Sequence, residues 1–347
     1  MAGRSSRGHW LARLEDAWHG MRERRAVRRG LVAAVVPFTG YGTTEWVRVL
    51  GRVVLRRPGA PAADRFTSIR GWRSFVSIPL SDAEVEVAIG GERRAIRADR
   101  GGVLDAVIPV RSAPGWAAIR LSAGGQEVEA PVFVIADGVT FGVLSDVDDT
   151  VMVTALPRPL LAAWNTFVLD EHARRPVAGM AVLYSRLRQE HPGSPVIYLS
   201  TGAWNVAPTL TRFLERNVYP RGALLLTDWG PTRERWFRSG PEHKRASLAR
   251  LAQEFPAVRW LLIGDDGQHD EQLYAEFAAA HPQNVAAVAI RRLTPGQAVL
   301  AGGRSLASEH EAAGVPWIYA DDGAGMIEEF ERLGLLEAEQ PFDQRTG

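Results

Sequence analysis

The strongest constraint on the fold is a series of short, near-continuous apolar runs in the second half of the chain: FGVLS (141–145), PVIYLS (195–200), ALLLT (223–227), VRWLLIG (258–264) and VAAVAI (285–290). Runs of this length without alternation are what parallel strands need when both faces of their sheet are covered. Helical patterns fill the intervals, at 177–190, 206–216, 243–255 and 271–281. Strand and helix in alternation predict an α/β domain with a doubly wound parallel sheet over 138–347, whose ligand sits beyond the carboxyl ends of the strands.

The preceding stretch, 36–137, has a different period. In Trp46–Arg56, Val47, Val49, Val53 and Leu55 share one face while Arg48, Arg52 and Arg56 point mostly the other way, as in a half-buried strand. Val85, Val87 and Ile89 repeat the pattern, and further strands are expected at 103–110, 116–121 and 128–135. Turn signals at 90–92, 99–102, 112–115 and 122–126 separate them. Short strands at near-regular spacing predict a small antiparallel, sandwich-like domain.

Residues 1–35 read as a basic amphipathic helix. Eight Arg against three acids give residues 1–30 a surplus of five positive charges, and Trp10, Leu11, Leu14, Ala17, Trp18 and Met21 recur at helical spacing. Such a helix either packs on its own domain or makes peripheral contact with an anionic membrane. The whole chain, at 41 basic and 40 acidic residues, lacks the basic surplus of a dedicated nucleic-acid binder. It has no cysteine, which excludes disulfides, thiolate nucleophiles and Cys-based metal sites. The longest apolar run, 31–38, is too short to span a bilayer, and the N-terminus carries no signal-peptide hydrophobic region, so a cytoplasmic location is expected. GYGTTE (40–45) lacks the third glycine of a dinucleotide fingerprint.

Chemistry gathers at the ends of the apolar runs. The first is followed by Asp146, Asp148 and Asp149 within SDVDDT (145–150). Carboxylates so close in a crevice repel unless a proton or a cation compensates, and a divalent metal is the natural partner. A calcium loop of the EF-hand kind is excluded, because its glycine and glutamate positions fall on Val151 and Pro157. The second run ends in Ser200-Thr201-Gly202 and the fourth in GDDGQHD (264–270). Between them, at the start of the expected helix 243–255, stands Lys244, the sole lysine beside 40 arginines. A strand-end Asp or Ser is usually a cap or a turn residue; the ordered set of acids, hydroxyl, lysine and acids is far more specific.

This order resembles the haloacid dehalogenase-like (HAD) phosphatases, with DVDDT (146–150) as their D-x-D-x-T motif. More narrowly, FGVLSDVDDT, RPVAGMAVLYSRL (175–187), TDWG (227–230), HK (243–244), LLIGDDGQHDEQLY (261–274) and VAIRRL (288–293) are similar to the actin-patch type of Mg²⁺-dependent phosphatidate phosphatases and their bacterial relatives. The segment 40–57 is similar to the domain that precedes the catalytic one in bacterial members. The family often has Ser-Asn-Ser-Pro-Trp where this chain reads Ser200-Thr201-Gly202-Ala203-Trp204, which leaves the phosphate-binding hydroxyl as Ser200 or Thr201.

The resemblance implies roles. Asp146 would be the nucleophile that forms an aspartyl-phosphate and Asp148 the general acid, then base. Asp146, Asp148 through its backbone carbonyl, and Asp265 would hold Mg²⁺, with Asp270 favoured over Asp266 as an orienting partner. Lys244 would neutralise the phosphoryl group, and Ser200 or Thr201 would bind its oxygens. Thr150 would support the loop; Trp204, Asp228 and Arg291 match family positions and serve equally well as structural partners. Neither the Thr150–Ser200 nor the Ser200–Lys244 interval has room for a large cap domain, so an open site that admits a lipid headgroup is expected. The expected activity is hydrolysis of phosphatidate to diacylglycerol. The alternatives are a phosphatase for a soluble phosphomonoester and a phosphatidate-binding module without turnover.

Overall fold

The computed structural model describes residues 20–59, 78–153, 175–227, 233–267, 269–301 and 314–338. The chain divides into two compact units, Met1–Val134 and Ile135–Gly347.

In the first unit nine strands pair in one hydrogen-bonded network: β1 (Val32–Pro37), β2 (Gly40–Thr43), β3 (Trp46–Arg56), β4 (Ile78–Pro79), β5 (Glu84–Ile89), β6 (Glu92–Arg97), β7 (Val103–Pro109), β8 (Gly115–Ala123) and β9 (Gln126–Ile135). The long β3 is its spine, because β1 and β2 share one edge of it and β7 and β4 the other, all antiparallel. Alternation is the cause: Val47, Val49 and Val53 are fully buried while Arg48, Arg52 and Arg56 stay partly exposed. Each such valine contributes about 1.5–3 kcal/mol by leaving water. The double glycines Gly90–Gly91 and Gly124–Gly125 all have positive φ, the backbone that a two-residue turn between antiparallel strands requires. They join β5 to β6 and β8 to β9.

The N-terminal helix expectation needs a correction at its end. Residues 20–28 are helical, but β1 begins at Val32, inside the segment 1–35. Val32, Val35 and Val36 are β-branched and pair with β3. Residues 1–19, with most of the apolar stripe, lie outside the described residues.

The second unit is α/β. Its elements are β10 (Phe141–Asp146), β11 (Met152–Val153), β12 (Arg175–Pro176), α1 (Met180–Glu190), β13 (Val196–Ala203), α2 (Ala207–Arg216), β14 (Ala223–Thr227), α3 (Arg233–Glu254), β15 (Arg259–Asp265), α4 (Asp270–Ala280), β16 (Val285–Arg291), α5 (Pro295–Ala301), β17 (Trp317–Ala320) and α6 (Gly323–Arg332). Six strands form a parallel sheet in the order β14-β13-β10-β15-β16-β17, and β11 pairs with β12 as a separate antiparallel stem. The five strands read from the apolar runs are buried almost residue for residue, as a sheet covered on both faces demands. Among the described residues no helix is long and apolar enough to cross a membrane.

Two helices differ from expectation. The first starts at Met180 rather than 177, because Gly179 is left-handed at φ 71 and Arg175–Pro176 is strand. The third starts at Arg233, ten residues before 243, and runs through Pro241, forgoing one backbone bond there. Lys244 is consequently a mid-helix residue.

Candidate active site

Asp146 is the last residue of β10 and is 2% exposed. Beyond it the chain turns tightly: the Val151 and Met152 N–H groups both donate to Val147 O, at 3.0 and 3.1 Å, and the Asp149 N–H donates to Met152 O at 2.7 Å. Asp149 occupies the left-handed region at φ 59. Below the strand end, Tyr184 of α1 donates to Ser145 Oγ, which donates to Asp146 O at 2.6 Å, and Tyr219 Oη donates to Val151 O at 2.9 Å. Burial pushes both phenols well above their usual range, so they are permanent donors. This tyrosine support was missed in the sequence; its only signal was tyrosine in otherwise aliphatic or polar surroundings.

Lys244 reaches the strand end from the middle of α3. Its ammonium donates to Asp146 Oδ1 at 2.6 Å and to Asp270 Oδ1 at 2.5 Å, and it is 5% exposed. Burial would depress its pKa, but Asp146 and Asp270 raise it and hold it charged. Asp270 opens α4, and its carboxylate lies against Gly264, where a Cβ would stand 2.9 Å from Asp270 Oδ2. Only glycine permits that approach. Asp265, the last residue of β15, completes a buried triad: one oxygen each of Asp146, Asp265 and Asp270 lies within 4.8 Å of the others.

Among the described residues the charges do not balance. Three buried carboxylates face one ammonium, and burial, then the neighbouring Asp270, Asp148 and Asp265, push the Asp146 carboxyl well above the usual range despite Lys244. Asp270 Oδ2 is buried with no hydrogen-bond partner among the described residues. Hard oxygens, excess negative charge and an unsatisfied carboxylate oxygen fit a divalent cation. Asp148 is not one of the three; its Oδ2 accepts from Ser200 Oγ at 3.0 Å.

Ser200 Oγ donates to Asp148 Oδ2, while Thr201 sets its methyl against Gly240 of α3 and its carbonyl accepts from Thr227 Oγ1 at 3.0 Å. Thr150 is fully buried, with no partner for Oγ1 among the described residues. The two acids after β15 also diverge. Asp266 turns away, its Oδ1 accepting the Leu293 N–H at 2.8 Å, whereas Asp270 enters the triad. Trp204 is buried in a short 3₁₀ turn after β13, and Asp228 lies outside the described residues. Arg291, the last residue of β16, donates to Asp149 O at 2.6 Å.

The second unit is therefore an α/β domain with a buried, metal-competent carboxylate centre at the carboxyl ends of its central strands. Residues 141–292, which contain every group of that centre, match the family of the phosphatidate phosphatase APP1 catalytic domain. An uncharacterized protein of Schizosaccharomyces pombe is 26% identical over 150 residues, covering 43% of this chain and 24% of that protein. The phosphatidate phosphatase APP1 of Saccharomyces cerevisiae is 24% identical over 153 residues, covering 43% of this chain and 25% of that protein. The chain thus spans about a quarter of the length of the curated relatives it matches. Among solved structures, a carbohydrate acetylesterase from Xanthomonas citri aligns with a TM-score of 0.27 at 12% identity, over 82% of this chain and 76% of that one. A likeness that loose carries no argument.

Proposed function

We propose that the chain is a Mg²⁺-dependent phosphomonoesterase of the HAD type, with phosphatidate as its substrate and a cytoplasmic location. The observation that carries this reading is the Lys244 ammonium held between Asp146 and Asp270 beside Asp265. The match to the phosphatidate phosphatase catalytic domain supports the substrate. The sheet of the second unit would be doubly wound in the HAD manner, and the antiparallel first unit a sandwich that supports or targets it.

Asp146, Asp265 and Asp270, with the Asp148 backbone carbonyl, would hold Mg²⁺. When bound, Mg²⁺ supplies charge that draws the Asp146 carboxyl to its ionised form and offsets negative charge on the phosphoryl oxygens. A carboxylate oxygen of Asp146 attacks phosphorus, the bond to the leaving alkoxide breaks, and Asp148 gives that alkoxide its proton. Asp148 then takes a proton from water, whose oxygen displaces Asp146 and releases inorganic phosphate. Two close carboxyls can divide such roles where their surroundings push their pKa values apart. Ser200, which donates to Asp148 at 3.0 Å, would orient that carboxyl, and Ser200 or Thr201 would meet a phosphoryl oxygen. Lys244 balances charge on phosphoryl group and nucleophile.

The test is phosphate release from phosphatidate in mixed micelles and from a panel of soluble phosphomonoesters, with and without Mg²⁺. Turnover should require Mg²⁺, favour phosphatidate and vanish in Asp146→Asn. Robust turnover by that variant would sink the mechanism; preference for a soluble ester would reassign the substrate.

A further inference from the structure

We propose that Arg291 is a positioning residue that holds the Asp148–Asp149 turn in shape and couples the two carboxylate-bearing loops. Its catalytic meaning rests on the phosphatase reading, and the brace itself on geometry alone.

Asp149 adopts a left-handed backbone conformation, φ 59, which is uncommon outside glycine although aspartate enters it more readily than most residues. Both backbone groups of the residue are held. Its N–H donates to Met152 O at 2.7 Å, and its carbonyl accepts from Arg291 Nη1 at 2.6 Å. Asp149 is 4% exposed and Arg291 6%, so water would replace a lost charge-assisted bond poorly. The same guanidinium donates through Nε to Asp321 O at 3.1 Å, in the loop after β17, and through Nη2 to Gln297 Oε1 at 3.2 Å, in α5. Three acceptors fix the plane of the group, which a lysine ammonium could not reproduce.

The sheet order gives the brace its reach. β15 lies between β10 and β16, so Arg291 bridges the strand that ends in Asp265 to grip the loop that follows Asp146. Its own backbone is anchored from that middle strand: the Asp266 N–H donates to Arg291 O at 2.9 Å, and Asp266 Oδ1 accepts the Leu293 N–H at 2.8 Å. The loop bearing Asp265 and Asp266 thus fixes Arg291, and Arg291 fixes the peptide next to Asp148. In a chain with 40 arginines the residue type carries no signal; the position does. Relaxation at Asp149 would re-aim Asp148, the acid and base, and leave the Lys244 and Asp146 contacts standing. The loss should fall on kcat rather than KM.

The test uses the full chain with Arg291→Ala and Arg291→Lys. It combines Mg²⁺-dependent phosphate release from phosphatidate in mixed micelles with amide hydrogen exchange, which needs no turnover. Both variants should lose kcat by about 10- to 100-fold, with KM nearly unchanged. Guanidinium chloride below denaturing concentrations should restore part of the rate of Arg291→Ala, and equal NaCl should not. The Val151 and Met152 amides should exchange about tenfold faster while those of β13 stay as in wild type. Unchanged exchange at 151 and 152 overturns the brace, and so does acceleration spread evenly over the domain, the mark of an ordinary core residue. If neither variant folds, Gln297→Ala removes one acceptor only; it should speed exchange modestly at 151–152, and no effect there overturns the proposal. A wild-type chain without turnover would defeat the phosphatase reading and leave the exchange result to decide the brace.

Discussion

Lys244→Arg is the sharpest perturbation of the site, because it keeps the charge and changes only its shape. The ammonium sits 2.6 Å from Asp146 Oδ1 and 2.5 Å from Asp270 Oδ1, at 5% exposure. Neither partner can retreat. Asp146 is fixed in register beside Leu199 of β13, and Asp270 lies against the Gly264 backbone, where even a Cβ would come within 2.9 Å. A guanidinium is broader than an ammonium, and its donors diverge in a rigid plane. It can satisfy one carboxylate and must forfeit or displace the other. One charge-assisted hydrogen bond is worth about 1.5–3 kcal/mol, and overpacking of a close-fitted site costs about 1–3 kcal/mol. If the loss falls on the transition state, kcat drops by roughly 10²- to 10⁴-fold. Phosphate release under saturating Mg²⁺ measures it, with circular dichroism and melting as checks on folding. Lys244→Met is the comparator, since it leaves Asp146 and Asp270 without the ammonium, a change worth about 3–5 kcal/mol for a buried pair. A folded Lys244→Arg with kcat within threefold of wild type would refute the argument, and the lysine's singularity would then be an accident of composition.

Two other outcomes follow from the same geometry. Asp146 has its folded pKa raised by burial and by Asp270, Asp148 and Asp265. Its contribution to stability is thus fully present below the ordinary carboxylate range and lost as pH rises through the folded value. In chelator the protein should lose stability over that rise, and Mg²⁺ should restore it increasingly toward neutral pH. At a hundredfold excess over its dissociation constant the gain is about 2.7 kcal/mol, or about 5–10 °C in Tm for a unit of this size. Melting curves indifferent to Mg²⁺ and chelator at every pH would exclude the metal. Ser200→Ala should lower kcat by about tenfold by freeing Asp148. Thr201→Val keeps a methyl against Gly240 and removes only the hydroxyl; an equal loss there would show that the two hydroxyls share the role.

The strands of the second unit were legible because burial on both faces leaves an unbroken apolar run, as in ALLLT at β14 and VAAVAI at β16. Short or polar ones were not. β6 reads ERRAIR, with most of its side chains exposed, and β11 and β12 are two residues each, so pairing rather than pattern makes them strands. The start of α3 escaped because the helix continues through Pro241, against the intrinsic preference of that residue. At the site, Asp146, Lys244 and the acids after β15 could be read from order along the chain. The separation of Asp270 from Asp266 could not: both are acids past the same strand, and only the register that sets Asp266 beside Leu293 turns one of them away.

The sheet order explains why so few strands supply the chemistry. β10 lies between β13 and β15, and the register sets Asp146 beside Leu199 and Ser145 beside Ile263. The residues just past those partners, Ser200 on one side and Gly264 and Asp265 on the other, therefore reach the level of Asp146 without any long loop. Groups separated by more than a hundred positions in sequence meet because parallel strands all end on one side. The same rule leaves β16 and β17 too far along the sheet to touch the reacting groups directly. What they can contribute is support, and Arg291 at the end of β16, bonded to Asp149 O at 2.6 Å and to Asp321 O at 3.1 Å, is placed to give it. On this view the groups of the proposed site gather at the ends of β13, β10 and β15, and β16 and β17 supply rigidity. Substitutions at the ends of β16 and β17 should then slow the reaction without altering what the site binds.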